Sequence, residues 1–121
     1  SNIAEDPEAK RVVLHEFGHA IGLQHEHQHP ASGIKWDSTA VYDYYENMGW
    51  SRQDVSQQLF TTFNIDQTNF TKYDRKSIMH YPIPKSLTLD GYFVDWNTKL
   101  STNDKKWVEK YYPYTCKIIR P

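Results

Sequence analysis

One stretch constrains this 121-residue chain more than any other: His15-Glu16-Phe17-Gly18-His19-Ala20-Ile21-Gly22-Leu23-Gln24-His25. On a helix each residue turns by about 100°, so His15 and His19 sit about 40° apart and one turn along, and both imidazoles can face one point. Neutral imidazoles on a rigid helix suit Zn²⁺ and leave coordination positions open. Glu16, about 100° further round, stands outside that line of ligands. It can still reach a water at the metal, where a general base is needed. His25 would be about 240° round from His19 on a continuous helix, so the helix has to stop between them. Gly22 sits where a left-handed residue would stop it, at little cost for Gly and more for any residue with a Cβ. The chain then turns, and His25 comes back to the metal from a loop. At this composition the five fixed positions arise together by chance in roughly a few of 100,000 such chains.

Around that stretch the pattern is helical. Asp6-Pro7-Glu8 reads as a helix start, and Val12, Val13, Phe17, Ala20 and Ile21 recur at helical spacing, which predicts a helix over about 7–22. Gln24 to Lys35 holds three of the six His with Pro30 and Gly33, and reads as loop. Asp37 or Ser38 can cap a second helix to about Met48, with Val41, Tyr44, Tyr45 and Met48 on one face. Ser51 with Asp54 resembles a capping box opening a short helix to about Phe60. Asn64 to Asp74 is polar and turn-rich, and Ser77 to Pro84 is a short apolar turn closed by two prolines. Leu87 to Val94 reads as a small hairpin around Asp90-Gly91. Ser101 with Asp104 caps a last helix, about 102–112, stopped by Pro113. The expectation is a single domain over 1–121, mainly α with irregular loops and a small hairpin.

Composition excludes several classes. The 18 aromatic residues (5 Phe, 4 Trp, 9 Tyr) are too many for a disordered tail. Fourteen basic and fifteen acidic side chains give a net charge of −1 without a long block of either sign. Nucleic acid and anionic membrane are therefore not expected as main partners. No apolar run approaches the ~18–20 residues of a membrane span, and no charged-then-apolar start reads as a signal peptide. Cys116 is the one cysteine, so an internal disulfide is impossible.

The spacing H-E-x-x-H-x-x-G-x-x-H is the zinc signature of the metzincin metallopeptidases, which pair it with a downstream Met-turn. Here Ser77-Ile78-Met79-His80-Tyr81 resembles that turn. Two details are similar to astacin-type peptidases: Glu26 directly after His25, and the Tyr that ends the turn. Leu100-Ser101-Thr102-Asn103-Asp104 resembles the astacin C-terminal region as well. The resemblance implies a zincin-like lower subdomain and zinc-dependent endopeptidase activity on peptides or proteins. It implies one Zn²⁺ per chain on His15, His19 and His25. Tyr81 is then a further ligand that swings away to stabilise the transition state. Glu16 is then the general base, and Met79 the apolar floor beneath the metal. Ile83 to Asp95 would line the pocket on the leaving-group side, and the protein would be secreted and extracellular.

The chain departs from the astacin pattern at Gln28-His29-Pro30-Ala31, where basic and acidic residues usually stand, which favours an astacin-like side branch. Only 14 residues precede His15, too few for the upper subdomain whose mixed sheet forms the other wall of a metzincin cleft. That sheet binds substrate by strand addition. The chain therefore reads as the C-terminal half of a catalytic domain, and its expected partner is the N-terminal half. The competing expectation is a catalytically incomplete zinc-binding module. A purely structural zinc site is disfavoured, because only three His surround the metal and a base stands beside them.

The remaining candidates read as structural. Glu26 is expected to be in a salt bridge or solvated, and His27, His29 and His80 to be loop or surface residues rather than a second metal site. Trp36, Trp50, Trp96 and Trp107 are expected as core or interface anchors. Asn69-Phe70-Thr71 is a glycosylation acceptor sequence, and Cys116 reads as a free thiol.

Overall fold

The computed structural model describes residues 5–64 and 72–113; Asn69-Phe70-Thr71 and Cys116 lie outside them. Helix α1 spans Pro7–Ala20, with the Asp6 carboxylate accepting from the Glu8 N–H and Pro at its first position. It ends in a Schellman motif: Gly22 N–H donates to the His19 carbonyl at 3.0 Å and Leu23 N–H to the Gly18 carbonyl at 2.9 Å. Gly22 has φ +102°, a conformation that a Cβ would strain. Helix α2 spans Ser38–Asn47, capped by Asp37, whose side chain accepts from Ala40 N–H. Helix α3, Arg52–Val55, opens with a reciprocal Ser51/Asp54 capping box and runs on as a π-turn over Ser56–Phe60. Helix α4, Thr102–Tyr111, opens with a second capping box, Ser101/Asp104. Among the described residues there is no sheet, only two isolated antiparallel bridges, Trp36 with Thr88 and Ile83 with Val94.

Val41, Val55, Leu59 and Leu87 form the centre of one core, flanked by Trp36, Ala40, Tyr42, Tyr45, Trp50, Phe60 and Tyr81. Full burial of each aliphatic side chain contributes about 1.5–3 kcal/mol. On α2 the inward side is Val41 with Tyr45, while Tyr44 and Met48 turn to solvent. Periodicity alone put all four on one face. The loop after the second proline also differs in register from a hairpin of consecutive residues. The turn at Asp90-Gly91 is present, with Gly91 at φ +74°. The backbone pair that closes the loop lies further out: Ile83 and Val94 exchange N–H···O bonds of 2.8 and 3.0 Å. Lys85–Leu87 is a 3-10 turn that places Leu87 in the core, and the backbone bridge of Thr88 is to Trp36, while its hydroxyl donates to the Tyr92 carbonyl at 2.8 Å.

A second buried apolar group, Ile78, Met79, Ile83 and Val94, lies along the Met-turn and this loop. Helix α1 buries His15 and Gly18. Its Val12, Val13 and Phe17 face outward, with Val13 64% and Phe17 63% exposed. Among the described residues, no helix is long and apolar enough to cross a membrane.

Candidate metal centre

His15 and His19 leave α1 one turn apart, and the Schellman turn returns the chain so that His25 faces them. One ring nitrogen from each lies within 4.8 Å of the other two. His19 Nε2 and His25 Nε2 approach to 3.0 Å. Tetrahedral zinc with Zn–N of about 2.0–2.1 Å needs its nitrogens about 3.3 Å apart, so the donor set fits that ion. The outward nitrogens are already engaged. His15 Nδ1–H donates to the Ile78 carbonyl at 2.9 Å and His19 Nδ1–H to the Leu23 carbonyl at 3.0 Å. Those bonds fix the tautomer that turns Nε2 toward the metal position. His25 is pushed down to about 4, first by burial and then by the charges His19 and His15 would carry. It therefore stays neutral and ready to ligate near pH 7.

Tyr81 closes the group from the side. Its ring stacks on His27 (4.7 Å, 13°), tilts against His25 (4.4 Å) and lies parallel to His15 at 6.0 Å. Burial, then the charge of Glu16, raises the phenol above its usual range, which keeps the hydroxyl protonated. Glu16 is exposed on the cleft side. A cleft of about 340 Å³ brings together Glu16, Tyr81 and the three His, with Arg11, Val12 and Trp96 at its edge. The loop after the Met-turn lines an adjoining hollow from Pro82 to Trp96, and Trp96 is common to both.

Asp104 ties the turn to His15. Its Oδ1 accepts from Ser77 Oγ at 2.6 Å, and its Oδ2 from the Ile78 N–H at 2.8 Å and the Ser101 N–H at 2.9 Å. One buried carboxylate thus completes the α4 cap and holds, by its N–H, the residue whose carbonyl aims His15. Asn97 Nδ2 adds bonds to the Arg75 and Ser77 carbonyls, both 2.9 Å. Glu26 spans the loops from the other side: its N–H donates to the Met79 carbonyl, and its carboxylate accepts from the Asp74 N–H at 2.7 Å. Burial holds that carboxyl up, at about 7, against the lowering by the Asp74 N–H.

Several of these features lie beyond what the sequence disclosed. A Cβ on Gly18 would stand 2.4 Å from Met79 Sδ, so Gly18 is what lets the Met-turn lie against α1. In the sequence it is merely an unspecified position inside the motif. His27, His29 and His80 are loop residues but not surface ones, since all three are buried. His27, only 1% exposed, donates from Nε2 to the Gln58 carbonyl at 2.5 Å and shelves the Tyr81 ring. His29 Nδ1 accepts from the Ala31 N–H, and His80 bonds the Tyr73 hydroxyl. Trp36 and Trp50 pack on the core as anchors. Trp96 is 55% exposed, with the Arg11 guanidinium 3.9 Å over its ring.

No family model matches the chain. Two proteins of Caenorhabditis elegans are similar to it. "Zinc metalloproteinase nas-13" is 31% identical over 85 residues, 68% of this chain and 16% of that protein. "Zinc metalloproteinase nas-12" is 35% identical over 80 residues, 66% of this chain and 19% of that protein. A solved structure of myroilysin superposes with a TM-score of 0.88 at 44% identity, covering 95% of this chain and 57% of the other. A crystal structure of myroilysin gives 0.54 at 46% identity, covering 90% and 48%. The chain thus spans less than a fifth of the curated relatives' length and about half that of the solved chains.

Proposed function

We propose, from the premise that this chain resembles the C-terminal half of an astacin-like metzincin catalytic domain, that it is the zinc-carrying part of a secreted endopeptidase. The observation that carries the reading is the convergence of His15, His19 and His25 on one point, with Glu16 exposed in the same cleft. Zinc held by the three His supplies Lewis acidity, polarising a carbonyl and acidifying water toward a pKa of ~7.

The chain's own groups do the rest. Glu16 accepts a proton from the attacking water and delivers it to the leaving amine, so one carboxylate serves as base and then acid. Tyr81 would be a further ligand to bound zinc, and its phenolic hydroxyl would donate a hydrogen bond to the developing oxyanion. Its raised pKa supports the role of donor. The whole of 1–121 acts as one lower subdomain, with the metal helix, the Met-turn at 77–81 and the C-terminal helix as its working parts. The exposed apolar face of α1, with Val13 and Phe17, supports an N-terminal half of the same domain as the partner that completes the cleft.

Glu16→Gln tests the reading in the protein expressed from its full coding sequence. The variant is expected to keep one zinc per chain and lose peptide hydrolysis by at least ~100-fold, because Gln cannot take the proton. Near-normal turnover would overturn Glu16 as the base. Absence of hydrolysis in the parent protein would favour the catalytically incomplete zinc module.

A further inference from the structure

The two tasks assigned to Tyr81, ligand and hydrogen-bond donor, both depend on where the backbone holds its ring. The next residue is Pro82, which has no N–H. The Tyr81 carbonyl is therefore the only hydrogen-bonding group on the peptide that joins the two, and whatever donates to it fixes that peptide plane. His80 supplies the bond, with Nδ1 2.6 Å from the Tyr81 oxygen. A carbonyl can only accept, so Nδ1 carries a proton. His80 is 3% exposed, which favours the neutral ring, and a neutral ring then leaves Nε2 bare. The Tyr73 hydroxyl, 2.6 Å from Nε2, donates to it. With its one hydrogen spent there, Tyr73 accepts from the Tyr92 hydroxyl at 2.9 Å. Every proton in this chain is thus placed from the carbonyl outward. At the outer end Thr88 Oγ donates to the Tyr92 carbonyl at 2.8 Å and holds Tyr92 in the loop after the Met-turn. The Tyr81 ring itself meets His27 at 4.7 Å and His25 at 4.4 Å, ring contacts that fix direction less than a hydrogen bond does.

We propose that Tyr73, backed by Tyr92, is a positioning residue: through His80 it holds the Tyr81–Pro82 peptide plane, and with it the pivot from which the phenol reaches the metal position. Tyr73 and Tyr92 stand outside the residues that line the cleft and its adjoining hollow. Their effect passes through the backbone of Tyr81 and not through contact with the peptide being cut. A displacement of about 1 Å at a reacting group can cost ~100-fold in rate, so a hydrogen bond behind the pivot matters. The inference rests on the reading of Tyr81 as ligand and oxyanion donor.

The test uses the protein expressed from its full coding sequence, loaded with zinc for kinetics and with copper(II), which such sites bind more tightly, for spectroscopy. A cation at the triad acidifies a ligating phenol, so Tyr81 on copper(II) gives the visible charge-transfer absorption of a bound phenolate. Tyr73→Phe is expected to keep one metal per chain and its KM, to lower kcat at least ~10-fold and to weaken that absorption by roughly half or more. Tyr92→Phe, one bond further out, should lower kcat about 3-fold in the same pattern. In a Tyr81→Phe background neither change should move kcat by more than ~2-fold, because the phenol they position is gone. A packing role would cost the same in both backgrounds, and that result overturns the inference. So does a parent kcat and copper absorption retained in Tyr73→Phe; if that variant does not fold, Tyr92→Phe decides by the same comparison. A parent absorption that Tyr81→Phe leaves intact sinks the reading of Tyr81 as ligand, and the inference with it. An absorption that Tyr81→Phe removes and Tyr73→Phe leaves intact sinks the inference alone.

Discussion

Replacing Asp104 tests whether the last helix and the metal centre are one mechanical unit. Alanine there removes the acceptor of three donors: Ser77 Oγ–H, the Ile78 N–H and the Ser101 N–H. The first two are buried, and each buried donor left unsatisfied costs about 1–3 kcal/mol. Loss of one half of the α4 capping box adds about 0.5–1 kcal/mol. The sum for Asp104→Ala is about 2.5–7 kcal/mol, a large part of the stability of a small domain. Asparagine keeps one oxygen for the two backbone N–H groups but loses the charge and turns an NH₂ toward Ser77, so Asp104→Asn should cost about 1–3 kcal/mol. Because Ile78 also aims His15 through its carbonyl, the Asn variant should lose zinc affinity by roughly 10–100-fold, the usual scale for a group behind a ligand. The assays are thermal melting with and without chelator and zinc competition against a chelator of known affinity. An Asp104→Ala protein that melts with the parent and surrenders zinc at the same chelator concentration would refute the coupling.

Gly18→Ala should destabilise by about 1–3 kcal/mol, because the new methyl would meet Met79 Sδ at 2.4 Å. Melting of the single variant and of Gly18→Ala with Met79→Ala checks it, and a double variant no better than the sum of the singles would remove the clash as the cause. His19→Ala should abolish stoichiometric zinc by metal analysis, and retention of tight zinc would break the triad. Tyr81→Phe should lower kcat by about 2.7–4 kcal/mol in barrier, about 100- to 1,000-fold, while KM and zinc content hardly move. Steady-state kinetics on a short peptide with melting alongside would show it, and an unchanged kcat would return Tyr81 to a packing role.

The parts of this fold legible in the sequence are those written in local chemistry. The Asp6-Pro7 start and the Gly22 stop of α1 and the two capping boxes depend on residues a few positions apart, and each is found with its hydrogen bonds. The convergence of the three His follows from helix spacing plus one forced turn, and so was legible too. What the sequence hides is long-range. Asp104 reads as a cap, because nothing local shows that its carboxylate also receives Ser77 and Ile78. Gly18 reads as a filler position until Met79 is laid against it. His27 reads as one more polar loop residue, although it is buried and shelves Tyr81. On α1, periodicity finds Val12, Val13 and Phe17 but says nothing of what faces them, and in this chain they face solvent.

The link from Asp104 through Ile78 to His15 also has a direction in time. His15 leaves the ribosome 89 residues ahead of Asp104 (104 − 15), about 4–18 s at ~5–20 residues per second. Over that interval the nascent chain displays His15 and His19 on a 14-residue helix, marginal in isolation at that length, with no carbonyl yet to orient His15. An ion arriving then meets loosely pointed imidazoles. An intact metal centre is accordingly expected only late in synthesis, and a premature stop between His25 and Ser101 would leave all three histidines in the product while removing the carboxylate that steadies Ile78 behind His15.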